Sequence, residues 1–361
     1  MRQLALILLC FFVWVGCGKE STETGSLVDV VYNPQPYELV LPENFPRMII
    51  PEDNPLTIDG VALGRRLFFD PVLSDDGSMS CSSCHLPNGS FTDNLAVSQG
   101  VTGASGTRSS MSLLNIGFNN NGFFWDGSVM TLEEQALLPV EDPIELHTSW
   151  QEVVADLQAH EDYPGLFRKA FGITAAEEIT KELAAKAIAQ FERSLVSSGQ
   201  SKYDRVVAGL EVFTDEELLG HNIFFDIDPD VSRHAECGHC HNAPLFTTNE
   251  YFNNGLENTD NGNLADPGRA LVTDREFDTG KFRVPTLRNI QLSAPYMHDG
   301  RFGSLEEALD HYDRGVVFSR NVDPNLRVLD MSREDRRALI AFIETLADPV
   351  FTADERYSSP F

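Results

Sequence analysis

Two pentapeptides in this chain have residue types and a spacing that can do chemistry: Cys81-Ser82-Ser83-Cys84-His85 and Cys237-Gly238-His239-Cys240-His241. A Cys-x-x-Cys-His stretch takes up the two vinyl groups of a porphyrin as thioethers, and the adjacent imidazole ligates the iron. Two intervening residues bring both sulfurs to one edge of the macrocycle, and the next side chain lies under the metal. With 6 Cys and 9 His in 361 residues, chance placement gives about 0.0025 such patterns, so a pair of them is not noise. A four-Cys zinc site and a thioredoxin-like redox motif are the other readings of Cys-x-x-Cys. Zinc would need no His after each pair, and the redox motif would sit beside a βαβ pattern that is absent from this sequence. The expectation is two covalently bound haem c groups, one on Cys81, Cys84 and His85 and one on Cys237, Cys240 and His241.

The elements that position these motifs recur as an internal repeat. Gly64-Arg65-Arg66-Leu67-Phe68-Phe69-Asp70 begins 17 residues ahead of Cys81, and Gly220-His221-Asn222-Ile223-Phe224-Phe225-Asp226 begins 17 ahead of Cys237. A Phe-Thr pair follows each His, as Phe91-Thr92 and Phe246-Thr247. Two haem domains on one ancestral plan are predicted, residues 56–210 and 211–361. Ile179, Leu183, Ala187, Ile188, Phe191 and Leu195 keep a helical period within 175–197, with Thr174 and Glu177 spaced as a capping box. Thr214 and Glu217 form another box ahead of the second motif. Alternating strand patterns are scarce, so the fold class is mainly α: two c-type cytochrome domains in tandem, one haem each.

A second register of the repeat carries an asymmetry. Trp125-Asp126-Gly127 with Thr131-Leu132-Glu133-Glu134 matches His298-Asp299-Gly300 with Ser304-Leu305-Glu306-Glu307, and each Thr/Ser reads as a helix N-cap. Leu305, Ala308, Leu309 and Tyr312 share one helix face; Leu132, Gln135, Ala136 and Pro139 share the equivalent face. Tyr312 offers a phenolic oxygen to haem iron, whereas Pro139 has no ligating group. If these faces lie over their own haems, the second is six-coordinate and the first keeps an open side, and an open ferric site binds a peroxide. Met297 and His311 are rival ligands, although His311 lies one residue round the helix. An ordinary half-buried aromatic is the bland reading of Tyr312.

Residues 1–17 read as a secretory signal: Met1-Arg2, an apolar run from Leu4 to Val15 too short to span a bilayer comfortably, then Gly16-Cys17. A small residue followed by Cys resembles a bacterial lipoprotein cleavage site that would leave Cys17 acylated, although Trp14 departs from the usual aliphatic residue. A signal cut nearby without lipid is the alternative. Residues 18–55, Ser/Thr/Glu-rich and then Pro-rich, read as a tether and lead-in arm. Export to the periplasm suits covalent haem attachment. The net charge of −28 would repel a phosphate backbone and excludes nucleic acid as a partner.

The motifs LGRRLFFD, CSSCH, FFWDG, KFRVPTLRN, APYMHDGRFGSLEEAL and HYDRG, spread over residues 55 to 350, resemble the bacterial di-haem cytochrome c peroxidase and MauG family. The resemblance implies that Trp125 lies between the haems and relays electrons. It also implies that Gln135, Pro139 and Glu145 line the peroxide pocket of the first haem, with Glu145 as the acid/base; a surface acid is the bland reading of Glu145. Tyr312, together with the lack of a His between His85 and Trp125, makes the chain more similar to MauG, which oxidises side chains of a partner protein. A calcium ion between the haems is implied, held by Asn115 and the carbonyls of Ser293 and Pro295. The implied partners are hydrogen peroxide and a small electron-donor protein or an oxidisable protein, with a homodimer left open. A non-enzymatic di-haem electron carrier is the rival from another class; it would need both irons six-coordinate.

Overall fold

The computed structural model describes residues 27–227, 234–262 and 264–361; the signal and lipid-site reading, with Cys10 and Cys17, lies outside them. The proline-rich arm is extended, as fixed proline φ angles require, but it is docked. Phe45 and Met48 are buried in a small cluster with Val196 and Leu245, and the Arg288 guanidinium sits 4.8 Å over the Phe45 ring.

Helices follow in the order α1 (Ile58–Phe69), α2 (Cys81–Cys84), α3 (Leu132–Glu141), α4 (Trp150–Ala159), α5 (Tyr163–Phe171) and α6 (Lys181–Ser194). Then come α7 (Lys202–Val207), α8 (Asp215–Phe224), α9 (Cys237–Cys240), α10 (Ala270–Thr273), α11 (Leu305–Asp310) and α12 (Arg333–Glu344). Among the described residues the only sheet pairs β1 (Tyr251–Phe252) antiparallel with β2 (Phe282–Arg283). The fold is mainly α.

The repeat in the sequence is a repeat in packing. Helix α1 starts behind Thr57, whose hydroxyl takes the Gly60 N–H at 3.0 Å, and Gly60 and Gly64, one turn apart, face α6. A Cβ built at Gly64 would fall on the carbonyl oxygen of Ala187, and one at Gly220 of α8 would fall on that of Ala338 in α12. Both glycines therefore allow two helix backbones to approach closely at the same point of the plan. Behind each crossing lies a phenylalanine triad with every member buried: Phe68 stands 5.2 Å from Phe191 and 6.0 Å from Phe91, and Phe224 stands 5.1 Å from Phe342 and 6.0 Å from Phe246. One apolar core runs from Val61 to Leu195 and takes in Phe351 and Tyr357; another runs from Tyr203 to Leu346.

One expected helix is different. Ala176–Glu178 is a 3-10 turn, and α6 begins behind Thr180. Thr174 pairs with Glu178, not Glu177. The break has a cause at Ile179, which is buried and whose carbonyl accepts the Gln158 amide at 3.1 Å. The boxes at Thr131–Glu134 and Thr214–Glu217 form as spaced; Ser304 caps the Glu307 N–H at 3.2 Å, while the Glu307 carboxylate takes the Gly303 N–H.

Candidate functional site

Each Cys-x-x-Cys folds as a single helical turn, α2 or α9, with the His as its C-cap. The turn puts both sulfurs on one side, and the imidazole follows. His85 Nδ1 donates to the Phe91 carbonyl at 2.8 Å and His241 Nδ1 to the Phe246 carbonyl at 3.3 Å. Because a carbonyl only accepts, Nδ1 carries the proton and Nε2 keeps its lone pair for iron. Burial depresses both imidazoles, His241 to about 4, so each is neutral near pH 7. Burial also pushes the thiols up, Cys84 to about 11 and Cys237 and Cys240 to about 12. Neutral sulfurs in apolar surroundings suit thioethers better than thiolate ligands. The phenylalanine triads carry the carbonyls that orient the two imidazoles.

Around α9 lies a cavity open to water-sized spheres over about 260 Å³, where a single water needs about 10–15 Å³. Cys237, Cys240 and His241 line it, together with Leu305, Ala308, Leu309 and Tyr312, the face read from the sequence. Tyr312 sits in a π-helical turn, His311–Gly315, that follows α11, the kind of helix irregularity that recurs at functional sites. Buried Asp313 anchors that turn by accepting the Met331 N–H at 2.8 Å and pairing with Arg336. His311 points elsewhere, with Nε2 bonded to the Asn254 carbonyl at 2.9 Å. Met297 lines the same cavity, in a positive-φ conformation. The Asn254 side-chain amide lies 3.3 Å from Tyr312 Oη and 3.4 Å from Met297 Sδ, so both candidate ligands stand within reach of one group. Burial raises the Tyr312 phenol to about 12. A cavity of this size and lining fits a large apolar macrocycle held by the α9 cysteines and histidine.

Trp125 is 9% exposed and lines this cavity as well. Its indole N–H donates to the Ser109 carbonyl at 2.9 Å, and its own carbonyl accepts the Arg283 N–H at 2.8 Å. The neighbouring Ser110 hydroxyl donates to the Cys84 carbonyl at 2.7 Å, so residues 109–110 connect the first motif with Trp125. Arg108 secures the following residue by an ion pair to Asp126 at 2.7 Å and holds Asp266 at 2.6 Å.

Near the first motif, α3 turns Gln135 and Pro139 to the same side as buried Leu132 and Ala136. The chain then doubles back: Leu146 N donates to the Pro139 carbonyl at 3.1 Å, and Val101 N to the Glu145 carbonyl at 2.8 Å. Gly100 lets the 98–106 loop lie against this turn, since a Cβ there would fall on the Ile144 carbonyl. Burial and then Asp142 push the Glu145 carboxyl up to about 7, and the Glu145 charge acts on both Cys81 and Cys84. Glu145 is thus a half-buried acid beside the first motif, not a solvated one. Asn115, Ser293 and Pro295 line the α9 cavity together; the Asn115 amide exchanges bonds with Ser197, at 2.8 and 2.9 Å.

Four residues at these sites were not singled out from the sequence: Asn254, Glu192, Ser109 and Arg283. Glu192 of α6 is 4% exposed with Oε2 unbonded, burial raises it to about 8, and its charge acts on Cys81. Arg283 lies inside the KFRVPTLRN stretch, which was a signal of the family without a role for any one residue.

Two histidine-capped Cys-x-x-Cys turns, each with its imidazole set as an iron ligand, define a di-haem protein of the c type. The chain matches the family model for di-haem cytochrome c peroxidase over residues 59–211 and 214–321. It is 37% identical over 312 residues to a methylamine utilization protein MauG of Methylorubrum extorquens, covering 85% of this chain and 83% of that protein. It is 34% identical to a cytochrome c551 peroxidase of Nitrosomonas europaea over 85% of each. A solved MauG-like protein associated with microbial copper homeostasis has a TM-score of 0.82 at 34% identity, covering 90% of this chain and 99% of that one. The chain belongs to the di-haem cytochrome c peroxidase family, and it is an oxidoreductase with haem c cofactors.

Proposed function

We propose that this di-haem peroxidase reduces hydrogen peroxide to water at the first motif, where Cys81, Cys84 and His85 would hold one haem and the facing Pro139 offers no ligating atom. Cys237, Cys240 and His241 would hold a second haem, to which Tyr312 would offer its phenolic oxygen, with Met297 as the alternative ligand. The two belong to tandem domains, residues 56–210 and 211–361. The observation that carries this reading is the asymmetry between equivalent helix faces, Pro139 without a donor atom and Tyr312 with one. When bound, the haems supply peroxide binding and redox storage.

The protein handles the protons. Glu145, with its carboxyl near 7, takes the proton from one peroxide oxygen and returns it to the other, which leaves as water. Gln135 offers an amide on the same side that would orient the peroxide. Trp125 supplies an oxidisable ring fixed at its indole N–H and at its backbone. Each turnover takes up two electrons and two protons and yields two waters. The electrons come from a small cytochrome or, as the likeness to MauG supports, from side chains of a partner protein. Asn115 with the Ser293 and Pro295 carbonyls is the set that would hold a calcium ion by oxygen alone. Export to the periplasm with Cys17 lipid-anchored completes the proposal, supported by the apolar run from Leu4 to Val15. The as-isolated ferric protein should show a high-spin component in its electron paramagnetic resonance spectrum and react promptly with hydrogen peroxide. A wholly low-spin, peroxide-inert spectrum would sink the proposal.

A further inference from the structure

The other two buried arginines of the described residues, Arg193 and Arg288, each have a carboxylate partner, as does half-buried Arg108. Arg193 grips Glu133 at 2.6 and 2.8 Å, Arg288 grips Asp204 at 2.9 and 2.8 Å, and Arg108 holds both Asp126 and Asp266. Arg283, 5% exposed, is different. Its Nε donates to the Phe124 carbonyl at 3.3 Å, Nη1 to the Asn249 side-chain oxygen at 3.0 Å and Nη2 to the Met111 sulfur at 3.2 Å. All three acceptors are neutral, and a thioether is a weak one. Among the described residues no carboxylate offsets the charge, and burial lowers the guanidinium to about 10, which leaves it charged at neutral pH. An unpaired buried cation is strongly disfavoured unless something else supplies the counter-charge.

Arg283 lines the α9 cavity with Cys237, Cys240 and His241. A planar guanidinium matches a carboxylate in a two-point fork, and a c-type haem carries two propionates. We propose that Arg283 is the binding site for a propionate of the second haem and clamps it to the Trp125 segment. The inference rests on the di-haem reading and deepens it. The clamp follows from the backbone: the Arg283 N–H bonds the Trp125 carbonyl while its side chain bonds Phe124. One residue thus fixes the haem edge and the indole in a single frame. Neutralising a propionate also favours the ferrous state of the nearby iron, because an uncompensated negative charge stabilises the ferric one.

The test uses the haem-loaded protein, with haem counted as pyridine haemochrome, both couples followed by spectroelectrochemistry, and propionate bending modes read by resonance Raman. Arg283→Met should keep two haems per chain, shift the low-spin couple at least tenfold toward ferric, about 59 mV for one electron, and move a propionate band. Its potential should also become pH-dependent as the released propionate titrates. Arg283→Lys, which keeps the charge but not the fork, should move the band while holding the potential within threefold of wild type. If Arg283→Met fails to accumulate, the lysine variant decides alone, and an unmoved band overturns the assignment. Unmoved potentials and bands in a fully loaded methionine variant overturn it too, as does a shift confined to the high-spin haem. A wild-type chain with fewer than two haems would instead overturn the underlying di-haem reading.

Discussion

Replacing Glu145 by glutamine keeps the size and packing of the side chain and removes its ability to carry a proton. The structure supports a clean perturbation, because the backbone bonds that hold the turn, Val101 N to the Glu145 carbonyl and Glu145 N to the Asp142 carbonyl at 3.0 Å, do not use the carboxyl. A positioned acid/base contributes about 10²–10⁴ in rate, or about 2.7–5.4 kcal/mol of barrier at about 1.36 kcal/mol per tenfold. The sign of the pH dependence follows from the proton path. In the proposed role the carboxylate form would accept the first proton from peroxide, and burial with Asp142 places its loss of a proton at about 7. The second-order rate of the ferric protein with hydrogen peroxide should therefore rise with pH through about 7, and Glu145→Gln should be slow and flat over the same range. Asp142→Asn removes the neighbouring charge and should move the wild-type midpoint to lower pH. Stopped-flow absorbance at the high-spin band measures all three. A Glu145→Gln rate within about threefold of wild type, with the pH profile retained, would refute the role.

Tyr312→Phe should raise the potential of the second haem, because Met297 stands ready beside the same Asn254 amide and thioether ligation favours the ferrous state; a low-spin spectrum identical to wild type would show that the phenol was never the ligand. Gly64→Ala drives a methyl into the Ala187 carbonyl and should lower stability by about 1–3 kcal/mol in denaturant titrations, whereas Gly165→Ala, in open space on α5, should raise it by about 0.5–1 kcal/mol. Glu192, raised by burial to about 8 from an ordinary 4.5, keeps a proton in the folded chain that the unfolded chain releases. Stability should therefore fall as pH rises between those values and become flatter in Glu192→Gln, as followed by thermal melts of the haem-loaded protein; an unchanged slope would show that Glu192 ionises normally.

The sequence made legible what depends on spacing. The two Cys-x-x-Cys-His turns, the repeat that begins at Gly64 and Gly220, and the helix face from Leu305 to Tyr312 are local patterns that one chain states twice; the close helix crossing at the two glycines was visible only in the structure. The helix expected from Ala175 broke because burial of Ile179, a tertiary demand, overrode a continuous apolar period. Arg283 and Asn254 were opaque for a related reason. What distinguishes them is a relation across the cavity: no carboxylate partner among the described residues for Arg283, and contact with both candidate ligands for Asn254. Neither relation has a sequence offset. The arm shows the same limit, since its prolines predict an extended path but not that Phe45 and Met48 would find Val196 and Leu245.

The two halves share a scaffold and differ where a side chain would meet an iron, and the backbone makes that difference. In the first half α3 runs through Pro139, whose missing N–H leaves the Gln135 carbonyl without its usual helical partner, and the chain doubles back to bring Glu145 toward Cys81 and Cys84. In the second half the helix stops at Asp310 and widens into the π-helical turn that carries Tyr312, held from behind by Asp313. On the proposed reading a proline and a returning carboxyl would clear one side and equip it for protons, and a widened turn and a phenol would fill the other. Exchanging single residues should therefore not interconvert the halves. Pro139→Tyr would place a phenol on a regular helix without the π turn, and the first haem should keep its high-spin signal and its reaction with peroxide. A fully low-spin Pro139→Tyr protein would show that side-chain identity alone, without the backbone, sets the asymmetry.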